Sequence, residues 1–480
     1  MDFGGISVKR LLYQLFLISQ HILKCSWKRA DSPLTGQIYS NFDAKAIYLI
    51  CVVLFDVGSA VCGAAPNINA LIIGRAICGL GGSGAYAGVM IILSVMTDVS
   101  ERAAYLGTTG LTWGTGVVLG PIIGGALTNS SATWRWAFYI NLVIGGVAIP
   151  ICCWLIPTCD PTRGVAMKTR ANKIDIPGTI LMIAFMTSLL MAISFGGLLY
   201  PWSSTQIIVL FVVFGVTIIA FGVQQVYCLG TTVENRSFPI PFLWNKELML
   251  LFIIEACASI LTFIPMYFIP LYFQFAKNDT ALKTGVRLLP LTAFLVSTIV
   301  GTGVWMKYSP RYMPWMLCGS ALGLIGSSLL YTVDITTSNE KMYGYSILIG
   351  TGAGLYVTLV FTAAQSQVKP VLIPIAVGFI TYSQLAASGI ALAVANSIFL
   401  NTAMNSIAAV LPNISRTDVQ GIVLRTSVAI LDSLDPGVRR QIVEIIVSSL
   451  NNAYIITIMS GAISLVLSLF LKRKKMNINS

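Results

Sequence analysis

The stretch GTGVVLGPIIGG, from Gly114 to Gly125, places five glycines and a proline inside an otherwise apolar run. Glycine and proline are poor helix formers in water, yet a run this apolar belongs in a membrane or in a deep core. Gly116, Gly120 and Gly124 recur every four residues, so a helix places them along one face. Because that face lacks side chains, two helix backbones can approach closely there, and close packing drives helix association in lipid. We expect this stretch, kinked at Pro121, to be a surface on which a neighbouring helix packs.

The composition of the whole chain assigns it to the membrane proteins. Of its 480 residues, 56% are hydrophobic and only 10% are charged. Apolar runs of roughly 20 residues, the length that crosses a bilayer, recur from Ile47 to the C-terminus. Backbone groups in lipid must be hydrogen-bonded within their own segment, and these runs are too long for barrel strands, so we predict an all-α polytopic membrane protein. Twelve spans are predicted, at 46–65, 70–96, 103–128, 136–157, 176–199, 206–229, 248–275, 288–306, 312–332, 343–366, 371–400 and 452–471.

Lysine and arginine concentrate in alternate connections between these spans, which predicts that both termini are cytoplasmic. The apolar stretch before Ile47 is short and interrupted by polar residues, so an interfacial helix is favoured there over a signal peptide. Asn278 and Asn413 begin glycosylation sequons on the predicted outer side. We divide the chain into an atypical N-terminal segment (1–45), part of a first helix bundle (46–157), a basic cytoplasmic loop (158–175), two linker helices (176–229) and a second bundle (230–480) with an outer loop at 401–451.

Several classes of function are disfavoured by what the sequence lacks. The ten cysteines fall mostly inside spans without metal-ligand spacing, so we interpret them as small apolar packing residues. The chain has one histidine and no nucleophile motif, which argues against an enzyme and against a metal site. No phosphate-binding loop occurs, so neither a nucleotide nor another cofactor is expected. The formal net charge of +12 belongs to the loops and does not indicate nucleic-acid binding.

Three charged residues lie inside the predicted spans, namely Asp56, Arg75 and Glu255. Each costs roughly 2.5 to 3.5 kcal/mol near the bilayer centre unless it has a partner or faces a polar cavity. Residues of this kind are candidates for proton coupling, and the alternative is a structural ion pair between helices. For Glu255 a further alternative is open, since it lies one or two turns from the inner end of its span, within reach of the interface.

The order of three motifs resembles a known family. LIIGRAICGLGGSG (Leu71 to Gly84), GTGVVLGPIIGG and WRWAFYINLVIGG (Trp134 to Gly146) together resemble the major facilitator superfamily, and within it the fungal fourteen-span drug:proton antiporters. The resemblance covers nearly everything from about Gly36 onward, and it implies two helix bundles that alternate about a central site. It also implies a proton-coupling role for Arg75. The residues that correspond to the family's antiporter motif are Gly116, Gly120, Pro121, Gly124 and Gly125.

The function that the resemblance implies is proton-coupled efflux of a small amphipathic molecule. The partners would be that substrate, protons and the lipid bilayer, and we expect a monomer in the plasma membrane or, alternatively, in the vacuolar membrane. Asp56 and Arg75 are predicted as the polar pair of the cavity. Candidate lining residues are Trp113, Tyr267, Phe273 and Gln274. Two alternatives remain, an uptake transporter of the same fold for siderophores or amino acids, and a membrane protein that does not transport.

The sequence also departs from the family pattern. Gly36 and Lys45 of the first cytoplasmic loop motif are present, but Ser40 stands where an acidic residue is expected, which weakens the charge-relay gate that this motif forms in relatives. In the family the arginine motif lies on the fourth helix and the glycine-proline motif on the fifth, whereas here they lie on the second and third predicted spans. We therefore expect that two helices are missing ahead of Ile47, that the Gly and Arg75 faces are uncovered, and that the chain as written does not transport.

Overall fold

A computed structural model gives the fold of most of the chain. It describes residues 38–39, 41–97, 134–158, 160, 164–171, 173–233, 235–306, 311–369, 372–412, 414–423 and 435–473, with scattered residues between 105 and 127. Every regular element in these ranges is a helix, which confirms the all-α class.

The helices are numbered here in chain order. They are α1 (Ala44–Ala64), α2 (Ile68–Met96), α3 (Trp136–Leu155), α4 (Met167–Ala171), α5 (Ile176–Phe195), α6 (Thr205–Tyr227), α7 (Ile240–Leu243), α8 (Lys246–Ala276), α9 (Ala281–Arg287), α10 (Leu289–Trp305), α11 (Met313–Tyr331), α12 (Asn339–Gly354), α13 (Val357–Ser366), α14 (Ile373–Val410), α15 (Arg416–Val423) and α16 (Pro436–Leu469).

Eleven apolar helical stretches in the described part of the chain are long enough to cross a membrane. They coincide with eleven of the predicted spans, and α12 and α13 together form the stretch Asn339–Ser366. Half of the remaining predicted span, 103–128, lies outside the described residues, although the residues described within it are helical. The polytopic architecture is therefore confirmed, and the number of spans is confirmed for the described residues.

The outer segment predicted at 401–451 is helical over most of the residues that the structure describes, and its position outside the membrane stays a prediction. Helix α14 continues to Val410, and α16 already begins at Pro436, well before the predicted start of the last span. The physical reason is burial, because Ala403 and Ile407 at the end of α14 and Ile442 near the start of α16 are fully buried. Apolar side chains that pack against the bundle extend a helix beyond the run of residues that is apolar all round.

The helices form three groups. The first group is α1 to α3, in which α1 packs closely on α2 and also contacts α3. Helices α5 and α6 form a linker pair. The second group consists of α8, α10–α14 and α16. A buried apolar cluster, the inner cluster, joins Tyr39 and Ile91 of the first group to Leu248, Leu251 and Val360 of the second. By the predicted topology this cluster lies on the cytoplasmic side, so the two groups pack together there.

A buried carboxylate anchors the linker pair. Asp175 precedes α5, is fully buried, and accepts hydrogen bonds from the backbone nitrogens of Gly178 and Ser237, both at 2.9 Å. It also accepts from the side-chain amides of Gln224 at 2.9 Å and Gln225 at 2.7 Å. A buried charge is tolerated when hydrogen bonds satisfy it. Asp175 thereby ties both linker helices to the chain that leads into the second group.

The closest helix contacts in the first group lie between α1 and α2. A side chain at Gly81 would overlap the Phe55 backbone nitrogen, and its Cβ would lie 2.6 Å from the carbonyl oxygen of Cys51. A side chain at Gly58 would meet the backbone nitrogen and sulfur of Cys78, the latter at 2.8 Å. The small residues of α2 therefore allow its backbone to pack directly on α1, as in other helix pairs in lipid.

We expect Gly81→Ala to destabilise the protein by about 1 to 3 kcal/mol, because the added methyl group overpacks a backbone contact. Gly79 is the matched control, since a Cβ at this position has no neighbouring atom within 4 Å. Gly79→Ala is expected to be neutral or slightly stabilising. The check is the thermal unfolding midpoint of both variants in the same detergent, and equal midpoints would contradict the packing described here.

Candidate functional site

A cavity of about 410 Å³ lies between the first and second groups of helices. Its walls come from α2, α8, α10, α13 and α14, together with Thr109 and Thr112 of the predicted span 103–128. The other lining residues are Tyr86, Val89, Met90, Ser259, Thr262, Phe263, Leu295, Ile299, Val357, Thr358, Phe361, Gln384 and Leu385. Its size is typical of a site for a drug-sized molecule.

The lining is apolar with a few uncharged polar groups. Two of the hydroxyls are engaged within α8, since Ser259 donates to the Ala256 carbonyl and Thr262 to the Ala258 carbonyl, each at 2.8 Å. No aspartate, glutamate, lysine or arginine occurs in the described part of the lining. The cavity therefore suits a largely apolar ligand with hydroxyl or carbonyl groups.

Glu255 lies one helical turn before Ser259 on α8 and is fully buried. Neither of its carboxylate oxygens has a hydrogen-bond partner among the described residues. The side chain of Gln384, which lines the cavity, lies beside it. The alternative in which Glu255 reaches the membrane interface is therefore wrong, because Glu255 lies on the face of α8 that packs against the rest of the bundle.

A hydrogen bond joins the two groups at the cavity. The hydroxyl of Tyr86 on α2 donates to the side-chain oxygen Oε1 of Gln384 on α14, at 2.8 Å. Sequence reasoning missed both residues, because they are separated by 298 positions and neither carries a charge. The available signal was that Gln384 is an amide inside an apolar span, where an unsatisfied polar group is costly.

Asp56 and Arg75 are not brought together as the predicted polar pair. No ion pair joins them among the described residues, and the exposed Arg75 instead places its guanidinium 4.7 Å from the centroid of the Phe138 ring. The Asp56 carboxylate faces α3, where a side chain at Gly145 would collide with it. Both residues thus face α3 rather than each other, and their role in proton coupling stays a prediction.

The expectation that a neighbouring helix packs on the glycine-rich stretch is wrong for most of the residues that the structure describes, whereas the expectation of an uncovered Gly face agrees with them. A Cβ at Gly116, Gly120 or Gly124 would have no atom within 4 Å. Gly114 differs, because a Cβ there would overlap the side chain of Val296 on α10. No described helix lies over the other three glycines, which is the physical reason for the open space. Pro121 and Gly125 lie outside the described residues.

The predicted lining residues of α8 lie nearer its outer end than the cavity. Tyr267 is 44% exposed, and Phe273 is fully buried with the Arg287 guanidinium 4.6 Å from its ring centroid. Neither these two nor the half-buried Gln274 belongs to the described lining. Trp113 lies outside the described residues. The prediction thus named residues of α8, which lines the cavity, but residues closer to the outer end of this helix than those that line it.

Charged side chains next to this outer end are paired. Asp279 forms ion pairs with Lys283, at 2.7 Å, and with Arg287. Burial raises the pKa of the Asp279 carboxyl, but the hydrogen bonds and charges of Lys283 and Arg287 outweigh it, so that the pKa lies below its ordinary value. The ion pairs hold α8, α9 and the loop between them together.

The remaining predicted residues lie at the ends of the helices. The Lys45 ammonium donates to the Cys153 carbonyl, which ties the start of α1 to the end of α3. Asn278 is exposed in the connection after α8, where its φ of 51° is in the left-handed region that asparagine tolerates. Gly36 and Asn413 lie outside the described residues. The loop role of Lys45 and the glycosylation of Asn278 stay predictions.

An all-α membrane protein with an apolar cavity between two groups of spanning helices has the architecture of a small-molecule transporter. The chain belongs to the Major Facilitator Superfamily, whose family model matches residues 32–393. This confirms the family that the three motifs resemble, and with it the class of membrane transporters.

Curated fungal relatives support the same assignment. The chain is 48% identical to the MFS-type transporter pgmG of Aspergillus terreus over 451 residues, which are 94% of this chain and 80% of that protein. It is 40% identical to the efflux pump alnA of Emericella nidulans, covering 92% of this chain and 81% of the relative. The solved structure of the human organic anion transporter MFSD10 (TETRAN) shares the fold, with a TM-score of 0.55 at 12% identity over 98% of this chain and 86% of that one.

Proposed function

We propose that the protein exports small amphipathic molecules from the cytoplasm in exchange for protons. The observation that carries the proposal is the apolar cavity between the two groups of helices with the fully buried carboxyl of Glu255 beside it. An ionised carboxylate without a partner is costly to bury, so a carboxyl in this position changes its charge state when its surroundings change from dry to wet. The cavity supplies the substrate site, and Glu255 supplies the proton site.

The proposed exchange follows from competition between the two ligands. In the proposed exchange the ligand occupies the cavity when Glu255 has lost its proton, and a proton binds Glu255 after the ligand has left. If proton and ligand favour different arrangements of the two groups, movement of one down its gradient drives the other. The export direction is supported by relatives named efflux pumps. An uptake transporter on the same fold is the alternative direction.

The experiment is transport by the full chain reconstituted into liposomes under an imposed pH gradient, with the uncharged amphipathic dye Nile red as the probe. We expect the gradient to drive dye movement and an ionophore that collapses the gradient to stop it. Dye movement that is the same with and without the gradient would contradict proton coupling.

A second candidate, a membrane protein that does not transport, is favoured by one observation. A Cβ at Gly116 or Gly120 would have no atom within 4 Å, and Arg75 is exposed, so surfaces that the family uses for coupling are open at these residues. The liposome experiment separates the two candidates, because this second one gives no protein-dependent dye movement under any gradient.

The proposed function also requires an oligomeric state, a membrane and an orientation in it. We place it as a monomer in the plasma membrane, with the vacuolar membrane as the alternative, and we assign Asn278 as a glycosylation acceptor on the outer side. Fluorescence microscopy of the tagged full chain and its mobility after glycosidase treatment test these two assignments.

A further inference from the structure

Tyr86, Gln384 and Glu255 lie at one depth in the bundle. Each lies about 14 to 17 Å along its helix from the predicted cytoplasmic end, at 1.5 Å per residue. Tyr86 belongs to the first group of helices, whereas Gln384 and Glu255 belong to the second. The hydrogen bond from Tyr86 to Gln384 therefore joins the two groups immediately beside the buried carboxyl.

We propose that Gln384 is a positioning residue that transmits the charge state of Glu255 to the contact between the two groups of helices. The proposal rests on the proton role of Glu255 proposed above, and it assigns the element through which that proton changes the conformation.

The transmission follows from the donors and acceptors of the three side chains. The Gln384 oxygen accepts from Tyr86, so its amide nitrogen is the group left to donate to Glu255. An ionised carboxylate only accepts hydrogen bonds, so the amide nitrogen is the group of Gln384 that it attracts. When Glu255 gains a proton, its new O–H is a donor and requires an acceptor. The Gln384 oxygen is the neighbouring acceptor, and the amide must rotate to present it to Glu255 in place of the amide nitrogen. This rotation moves the oxygen away from the Tyr86 hydroxyl.

Protonation of Glu255 is thus expected to weaken the Tyr86–Gln384 bond, and loss of the proton to restore it. The step moves one proton onto or off a carboxyl oxygen and changes no other covalent bond. The bond lies on the cavity side of the inner cluster, in which Ile91 of α2 packs against residues of the second group. Weakening the Tyr86–Gln384 bond therefore loosens the packing of the two groups of helices on the predicted cytoplasmic side.

Other titratable groups do not take over this role. Tyr356, between α12 and α13, also faces Glu255 and is fully buried, but its hydroxyl lies beside Ser320 and Ser464 within the second group rather than against the first. In the described part of the second group, Glu247 with Lys472 and the ion pairs of Asp279 lie at the two ends of the bundle, away from Glu255. Gln384 is therefore a described side chain of the second group that lies beside the carboxyl and is hydrogen-bonded to the opposite group of helices.

The test is hydrogen–deuterium exchange of the purified full chain at mildly acidic and mildly alkaline pH, corrected for the intrinsic pH dependence of exchange. We expect the cytoplasmic half of α2 to become more protected as the pH rises, because the bond forms as Glu255 loses its proton. Gln384→Leu and Tyr86→Phe should each remove this pH difference. Tyr86→Phe removes a single hydroxyl, so it keeps the test informative if Gln384→Leu fails to fold.

Ser383→Ala is the matched control, because Ser383 precedes Gln384 on α14 and its hydroxyl donates to the Phe252 carbonyl, at 2.6 Å, within the second group. It should keep the pH difference. A pH difference of wild-type size in Tyr86→Phe, or none in the wild type, would overturn the proposal. If the exchange experiment fails but gradient-driven dye transport is intact, the proposed function stands. If transport is absent but the pH difference in exchange is intact, only the proposed function is contradicted.

Discussion

Glu255→Gln is expected to abolish the pH-driven movement of Nile red while leaving the protein folded. Glutamine keeps the shape of the side chain and one of its two oxygens but cannot gain or lose a proton in the relevant range. Because Glu255 is fully buried beside the cavity, the substitution removes the charge change on which the coupling depends. We expect the gradient-driven rate to fall by more than about tenfold, which corresponds to about 1.4 kcal/mol.

The matched control is Glu247→Gln, at the other buried glutamate of α8. Glu247 accepts a hydrogen bond of 2.6 Å from Tyr312, and its carboxylate lies 3.9 Å from the Lys472 ammonium. These contacts are structural and lie at the predicted cytoplasmic end of the helix, so this variant should lose stability but retain dependence on the gradient. Retained gradient dependence in both variants would show that Glu255 is not part of the proton pathway.

Thr358→Trp is expected to block transport without preventing assembly of the bundle. Thr358 lies on α13, is half-buried, and lines the cavity of about 410 Å³. An indole at this position occupies space that the ligand requires, and the open side of the cavity accommodates it without the cost of overpacking a dense core. We expect both Nile red binding, measured by its fluorescence, and gradient-driven dye movement to fall by about tenfold or more.

Val212→Trp provides the control for added bulk, because Val212 on the linker helix α6 is 57% exposed and faces away from the cavity. It should bind and transport the dye as the wild type does. Undiminished binding in Thr358→Trp would show that the ligand occupies a different site.

The fold class was predictable because it depends on the lengths of apolar runs, which any single span displays on its own. The boundaries of α14 and α16 were not, because their ends are fixed by packing partners such as the buried Ile407 and Ile442, and a hydropathy pattern does not show partners. The glycine-rich stretch illustrates the same limit. Its spacing defines a smooth helix face, but what covers that face depends on other segments.

The candidate site was predictable only in its charges. Glu255 was identified because a carboxyl in an apolar span is costly and therefore functional more often than other residues there. Its neighbours Tyr86 and Gln384 are uncharged, and a hydrogen bond between residues 298 positions apart leaves no local pattern in the sequence. Arg75 and Asp56 were also identified by their charge, but the sequence did not show that they face Phe138 and Gly145.

The central claim is that ligand and proton occupy linked sites at the cavity and at Glu255. The most direct measurement is proton release when Nile red binds to the detergent-purified full chain in weakly buffered solution with a pH indicator, for the wild type and Glu255→Gln. We predict that dye binding to the wild type releases protons at a pH where Glu255 is protonated, and that the variant binds the dye without releasing them. Equal proton release by both proteins, or dye binding to the wild type with no release at any pH, would contradict the account.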